Sequence, residues 1–422
     1  MKMLSRIKNL FLRYGAAGAL KKLCLAAARG YRARFGRGTR PDAARTAELC
    51  GRIFGTGRGP VLLFRGSGGY ATPLFQRPQQ LARALAAKGC VVLYEASPLY
   101  DAVRLARMEA PGLWLVNLRS RSFGRAVLSC AESSGRPLVQ RVASPERSVR
   151  TGSVEELERR GWRLFYDYID AISPEISASR RVPRAVLAMF AHAMSDGAAL
   201  VVCSSEALLR DAVRRHAGDN ALVENGVDQA HFSSPGPCPD DPVFRAILRR
   251  GRPRLCFYGA LASWLDYDAL RLLAGDGRFD LVLIGSKYDG SFDARLAGAQ
   301  NVFFLGAKPY QVLKDYASRC DVMLVPFRKG RVGDAASPVK LFEYMALSKP
   351  IVASDTAECR RCRSPIIAAS PEDWPGCVLR ALERSRDPAF LTAVRAEALA
   401  ADWGCRAEAL LRALGLEAPA AK

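Results

Sequence analysis

Five short apolar runs punctuate the second half of this chain: RLCFYGA (254–260), DLVLIGS (280–286), NVFFLGA (301–307), DVMLVPF (321–327) and PIVASD (350–355). Each is unbroken in its apolar character and stops at a glycine or a polar loop, the pattern of strands buried on both faces of a parallel sheet. Helical stretches lie between them. The first half repeats the layout with PVLLF (60–64), CVVLYEAS (90–97), GLWLVNL (112–118), RLFYDYID (163–170) and AALVVCSS (198–205). Between the first two of these, FQRPQQLARALAAKG (75–89) reads as a helix with Leu81 and Leu85 on one face and Gly89 at its end. A strand–helix–strand unit of this kind implies parallel strands and a right-handed crossover.

At 422 residues the chain is too long for one ordinary core. The fold class expected is α/β, with two Rossmann-like doubly wound domains facing a cleft, because ligands in such sheets bind beyond the carboxyl ends of the strands. The expected organisation is a basic amphipathic segment over 1–45, a first domain over 55–230, a linker over 231–250, a second domain over 251–400 and a terminal helix over 401–415. The clearest linker signal is HFSSPGPCPDDP (231–242), dense in Pro, Ser and Asp.

The net charge is +22, which favours an anionic partner without saying which: nucleic acid, anionic lipid or a phosphorylated small molecule. Residues 1–41 hold eleven Lys and Arg and no Asp or Glu. Leu4, Ile7, Phe11 and Tyr14 recur at helical spacing, with Lys2, Arg6, Asn9 and Arg13 on the other side. That suits a helix lying on an anionic membrane surface, at roughly 1 kcal/mol per basic residue near the headgroups; it also suits a helix packed on the protein's own body, or a frayed basic tail. Lys21 and Lys22 interrupt the one candidate signal-peptide core. No run approaches the 18 or so apolar residues of a spanning helix. The twelve cysteines are scattered, and the one CxxC pair, Cys359 and Cys362, has no second pair or nearby His to complete a four-ligand zinc site. No metal is expected. Reduced cysteines and a cytoplasmic location are the plain reading.

The chemistry concentrates in SPVKLFEYMALSKPIVASD (337–355) and the loop before it, FRKGRVGDAAS, which holds Arg328, Lys329, Gly330, Arg331 and Gly333. Ser337 reads as a helix cap with Pro338 at the first helical position, followed by about three turns of helix. Backbone N–H groups at such a start suit an anion, and Lys340 adds charge. Glu343 lies on the same face one turn on, where a carboxylate can accept from two adjacent hydroxyls. Phosphate donors followed by a diol acceptor describe a nucleoside diphosphate and its ribose. An ordinary exposed Lys–Glu pair at this spacing gives the same pattern.

The motif SPVKLFEYMALSKPIVASD closely resembles the C-terminal motif of family 4-like GT-B glycosyltransferases, the group that includes bacterial cell-wall and exopolysaccharide transferases. FYGALASWLDYDAL with DLVLIGS, and NVFFLGAKPYQVLKDYASRCDVMLVPF, resemble the same group, as do LFQRPQQLARALAAKGCVVLYEASP in the first half and LVENGVDQAHF between the halves. The likeness runs collinearly over about residues 60–410. It implies a hexosyltransferase that uses a UDP- or GDP-linked sugar donor, with no further cofactor. It implies that Glu343 binds the ribose hydroxyls, and that Lys340 and the N–H groups after Ser337 and Pro338 bind the diphosphate. Gly259 would admit the diphosphate to the backbone, Gly285 and Ser286 would border the base, and Arg328 would add charge at the leaving group. The helix in DWGCRAEALLRAL would pack across the domains. Retention of anomeric configuration is likewise an implication of the resemblance. Many members carry two glutamates eight apart; here Ala335 stands at the first position, with Asp334 adjacent but out of register.

In the first domain, Gly68 and Gly69 of GSGGYATP permit close approach of an acceptor or of the donor phosphates. Gln76 and Arg77 offer donors beside that loop. Asp167 and Asp170 end a strand, where they orient an acceptor hydroxyl or form a cap or a buried ion pair. His192 is the best base candidate of three histidines, against a packed, satisfied ring. Asp266 and Asp268 form a DYD resembling a metal-binding DxD, but they follow Trp264 at a helix start, where acidic residues suit the dipole. The function expected is transfer of a sugar to a glycan or lipid-linked acceptor in surface polysaccharide assembly, at the cytoplasmic face of the plasma membrane through residues 1–40. The alternative is an inactive membrane-associated scaffold of the same fold. A nucleic-acid partner is not expected, since nothing resembles a recognition helix or an RNP motif.

Overall fold

The computed structural model describes residues 42–416, apart from 67, 73, 74, 99, 177–180 and 297. The basic amphipathic stretch and its expected membrane contact fall, but for its last residues, outside the described residues. Among the described residues no helix is long and apolar enough to cross a membrane. By packing, the described chain divides into two units. One holds the residues up to Asn225, with Ala335–Ser337 and those from Trp403 onward; the other holds Gly226–Asp334 and Pro338–Asp402.

The N-terminal unit is an eight-stranded sheet: β1 (Val61–Phe64), β2 (Val91–Glu95), β3 (Ala106–Ala110), β4 (Leu113–Val116), β5 (Leu138–Ala143), β6 (Arg163–Tyr168), β7 (Leu200–Cys203) and β8 (Asp219–Leu222). Its order is β3-β4-β2-β1-β5-β6-β7-β8, and every pair is parallel except β3 with β4. The chain moves outward from β1 through β2 to β4, then returns to place β5 on the other side of β1. This reversal opens a crevice at the ends of β1 and β5. The helix Trp403–Ala413 packs against the helix Arg77–Ala87, adding Ala407, Leu410 and Leu411 to the core beneath β1 and β2.

The C-terminal unit is a six-stranded sheet, all parallel: β9 (Arg254–Tyr258), β10 (Asp280–Ile284), β11 (Val302–Phe304), β12 (Val322–Val325), β13 (Ile351–Ser354) and β14 (Ile366–Ala368). Its order, β11-β10-β9-β12-β13-β14, reverses at β9 and β12. Every residue of β10, β12 and β13 is buried, as their apolar runs require, including Asp280 at the start of β10 and Ser354 at the end of β13.

The structure adds elements that the apolar pattern does not reveal. β5 contains Gln140 and Arg141, both fully buried, so its sequence LVQRVA does not read as a central strand. β3 is an edge strand, half-exposed and antiparallel. The stretch 231–250, expected as linker, contains the helix Pro242–Leu248, capped by Asp241, which accepts from the backbone of Val243 and Phe244.

Candidate functional site

At the β9–β12 reversal, β9 hands its chain to Gly259, whose N–H donates to the Ile284 carbonyl at 2.9 Å. Gly285 follows β10 and donates to Gly306 at 2.9 Å. Both glycines sit at φ +148°, in the region other residues avoid. A Cβ on Gly285 would lie 1.8 Å from the Gly259 carbonyl oxygen, and one on Gly259 would lie 3.0 Å from Lys340 Cε. The two strand ends therefore run in backbone contact, with the lysine laid against them. Ser286 completes this knot, its carbonyl accepting from Leu261 N–H at 2.9 Å.

Lys340 and Glu343 project from the helix Val339–Ala346. That helix has eight residues, shorter than the three turns the sequence suggests, and Pro338 rather than Ser337 occupies the cap position. A proline cannot donate to the preceding turn, so it tolerates the helix boundary on either side. Ser337 makes no cap bond, and its buried hydroxyl has no partner among the described residues. Glu343 is buried and accepts from the Tyr258 hydroxyl at 2.7 Å. Tyr258 is in turn held edge-on against Tyr344, whose hydroxyl accepts from the Tyr258 N–H. Burial pushes the Glu343 carboxyl up to about 7, against the opposing pull of Tyr258 and Lys340. Burial likewise brings the Lys340 ammonium down to about 8, with Glu343 pulling it back up. The ammonium rests near the Phe327 and Phe257 rings, 5.0 and 5.5 Å from their centroids. Together these place a donor and an acceptor one helical turn apart, in a weakly screened setting, beside a stretch of bare backbone.

Tyr258 is the member that the sequence does not announce. It ends an otherwise apolar strand, and only the fold reveals that its hydroxyl reaches Glu343. Arg328 is exposed on the loop after β12, where its N–H donates to the Trp264 carbonyl at 2.8 Å and fixes the loop's start. Asp334 accepts from Gly330 N–H at 3.2 Å rather than reaching out of the loop. Ala335, buried, packs in the core of the N-terminal unit, and its carbonyl accepts from Ser205.

In the N-terminal unit, Gly68 and Gly69 take positive φ values of +77° and +107°. The loop is held by Asp101, a residue sequence reasoning missed; its carboxylate accepts from the N–H groups of Tyr70, Ala71 and Ser97. Gly69 presents its carbonyl to Gln79 and Tyr94. Gln76 serves the helix Arg77–Ala87, exchanging hydrogen bonds with Gln79 in a capping box.

Arg77, expected to offer a donor beside that loop, is instead buried against Asp167, which takes the ion-pair role among those open to it rather than facing an acceptor. Asp167 is fully buried, with Arg77 Nε at 3.0 Å and Arg141 Nη2 at 2.6 Å. Arg77 goes on to the Glu224 carbonyl and the Asn225 side chain. The physical reason is Arg141: a guanidinium buried on β5 needs a carboxylate on the neighbouring strand. Burial would raise the Asp167 carboxyl, but the two arginines hold it below the usual carboxylate range. Asp170, at the end of the same segment, is half-buried and pairs with no arginine or lysine among the described residues; burial first, and Asp167 second, raise its carboxyl to about 6.

His192 is paired with Glu158, its Nε2 lying 3.0 and 3.1 Å from the two carboxylate oxygens. Asp266 caps the helix Tyr267–Gly275 through Ala269 N–H, and Asp268 pairs with Arg271 at 2.5 Å. Both aspartates of the DYD thus have structural roles. None of the described cysteines, Cys359 and Cys362 among them, forms a disulfide.

Comparison with known proteins matches residues 252–384 to the family model described as Glycosyl transferases group 1. Sucrose-phosphate synthase from Thermosynechococcus elongatus superposes with a TM-score of 0.59 at 16% identity, over 85% of this chain and 98% of that one. HepE of Anabaena, solved in complex with UDP-glucose, gives 0.55 at 15%, over 85% and 100%. The fold is GT-B. A Bacillus subtilis (strain 168) glycosyltransferase, TuaH, provisionally assigned to teichuronic acid biosynthesis, is 25% identical over 233 residues. That match takes in 51% of this GT-B chain and 57% of TuaH, so the chain spans little more than half the length of this relative.

Proposed function

We propose that this protein is a glycosyltransferase that moves a sugar from a nucleoside diphosphate donor to a glycan or lipid-linked acceptor in surface polysaccharide assembly. The observation that carries it is the Gly259–Lys340–Glu343 arrangement at the β9–β12 reversal. Glu343 receives the ribose diol; Lys340 and the N–H groups at the start of its helix receive the diphosphate. Breaking the sugar–phosphate bond builds negative charge on the departing diphosphate, and fixed donors that meet this charge lower the barrier. Arg328, on the adjoining loop, adds a cation at that end. Asp170 is the better of the two first-domain aspartates for orienting an acceptor hydroxyl, since the carboxylate of Asp167 is taken.

The match over 252–384 supports the reaction class. HepE's complex with UDP-glucose supports a UDP-linked donor, and the likeness to TuaH supports a cell-wall or exopolysaccharide acceptor. Retention of configuration, a cytoplasmic location at the inner membrane face and anchoring through residues 1–40 belong to the same reading. Truncating residues 1–40 then releases the protein from anionic vesicles.

Release of nucleoside diphosphate from UDP- and GDP-sugars in a membrane extract tests the reaction. The proposal expects turnover by the wild type and loss of it in Lys340→Ala. Nucleotide binding with no turnover on any donor would favour the inactive scaffold, the reading that Ala335 at the first glutamate position supports.

A further inference from the structure

Glu158, His192 and Asp196 converge in the N-terminal unit, each offering a ligand atom within 4.8 Å of the other two. Glu158 ends the helix Thr151–Glu158, which leads into β6. His192 lies in the last turn of the helix Arg184–Ser195, and Asp196 follows as its C-cap, before β7. The two helices pack against each other. Both end at the amino ends of the strands they precede, whereas ligands of such sheets bind beyond the carboxyl ends. No motif announces the cluster, since Glu158 and His192 stand 34 residues apart.

A histidine beside one glutamate is an ordinary contact, and Glu158 alone accounts for it, its two oxygens lying 3.0 and 3.1 Å from Nε2. Two more carboxylates go beyond a pair. Asp196 joins on the same helix, and Glu155 Oε1 stands 3.9 Å from Nδ1, the other ring nitrogen. The chain carries 63 Lys and Arg against 41 Asp and Glu. Yet among the described residues no Lys or Arg forms an ion pair with Glu155, Glu158 or Asp196. The nearby Arg160 is spent on Glu132 and Glu156. One imidazole cannot neutralise three carboxylates, and like charges held together repel. A divalent ion supplies the missing charge.

The ligand atoms are accessible. The side chains of His192 and Glu158 are 17% and 21% exposed, and Asp196 is half-buried. Ligands about 2.0–2.2 Å from a shared ion stand roughly 3–3.5 Å from one another. His192 Nε2 and the Glu158 oxygens already have that spacing, and a turn of the Asp196 carboxylate brings in the third ligand. Asp196 Oδ1 accepts from Ala198 N–H at 3.0 Å, an outer hydrogen bond of the kind that orients metal ligands. One imidazole with two carboxylates suits Zn²⁺ and its first-row neighbours, whereas Mg²⁺ and Ca²⁺ take oxygen ligands.

We propose that Glu158, His192 and Asp196 hold one first-row divalent ion, zinc by its ligand set, which pins the ends of the two helices together. The test strips the full chain with chelator and titrates it with ZnCl₂, CoCl₂ or MgCl₂, read by calorimetry, thermal unfolding and Co²⁺ absorption. One equivalent of Zn²⁺ or Co²⁺ is expected to bind and to raise the unfolding temperature. Bound Co²⁺ is expected to show ligand-field bands without the charge-transfer band of a cysteine thiolate, and MgCl₂ is expected to have no effect. Asp196→Asn keeps the His192–Glu158 pair and an oxygen for Ala198 N–H. Its metal-free form is therefore expected to unfold as the wild type does, while its zinc affinity falls about tenfold or more. No binding of Zn²⁺ or Co²⁺ overturns the proposal. So does binding that carries a thiolate band, that MgCl₂ reproduces, or that Asp196→Asn leaves intact.

Discussion

Tyr258 donates its hydroxyl to Glu343 across 2.7 Å, from the end of one strand to the middle of a helix that begins 81 residues later in the chain. The bond orients a carboxylate that burial has brought to about 7, near the pH at which it must accept from a ribose. Lys340, one turn before it, is brought to about 8. Nucleotide affinity is therefore expected to rise as the pH climbs through 7 and Glu343 ionises, and to fall above about 8 as Lys340 loses its proton. Tyr258→Phe removes a bond that favours the ionised form, so its acid limb moves to higher pH. Calorimetric titration of nucleotide across pH 5.5–9 reads both limbs; a flat profile would refute the assigned roles.

The same carboxyl leaves a signature on stability. Its folded value of about 7 exceeds its ordinary value of 4.5, so the folded state holds the proton more tightly. The contribution is fully present below about 4.5 and is lost as the pH rises to 7. Glu343→Gln is expected to flatten the pH dependence of unfolding in that window, measured by urea titration.

Asp167 has the opposite sign. Its carboxyl is held low by Arg77 and Arg141 against the cost of burial, so its stabilisation is present above the ordinary carboxylate value and is lost as the pH falls through the depressed one. Asp167→Ala leaves two buried guanidinium groups without their carboxylate. A loss of about 3–5 kcal/mol is expected in chemical denaturation at neutral pH. A loss below about 1 kcal/mol, the size of an exposed pair, would show that the triad is solvated.

Much of this fold is legible because parallel strands buried on both faces must be continuously apolar, and β1, β10, β12 and β13 obey that rule. β5 is hidden because its buried Gln140 and Arg141 are satisfied by distant partners that a local pattern cannot show: Val154 and Arg65 for one, Asp167 for the other. Lys340 and Glu343 are legible as a spacing on a helix, and Gly259 and Gly285 as strand-ending glycines. Tyr258 and Asp101 are not, since each acts on a segment that is remote in sequence or irregular in structure. Arg77 is hidden for the same reason as β5, and among the roles open to Asp167 the fold selects the buried ion pair: both depend on Arg141, which no local pattern connects to them.

Gly285→Ala tests the backbone knot. The added methyl would overlap the Gly259 carbonyl at 1.8 Å and force a backbone that alanine disfavours. Strain and overpacking together predict a loss of about 2–4 kcal/mol, with nucleotide affinity falling as Gly259 shifts against Lys340.

Asp170→Asn separates acceptor from donor. Nucleotide binding is expected to stay as in the wild type, while sugar transfer falls about 10²–10⁴-fold if the carboxylate accepts the proton of the attacking hydroxyl. Equal losses of binding and transfer would contradict that role.

The nucleotide roles of Lys340 and Glu343 are tested by a thermal-shift panel of UDP, GDP, ADP and CMP on the wild type and on Glu343→Ala. At a hundred times its dissociation constant a ligand stabilises by about 2.7 kcal/mol, a readily measured shift. One nucleoside diphosphate is expected to raise the unfolding temperature of the wild type and to leave the variant unmoved. A wild type that responds to none of them, or a variant that responds as strongly as the wild type, would contradict these roles.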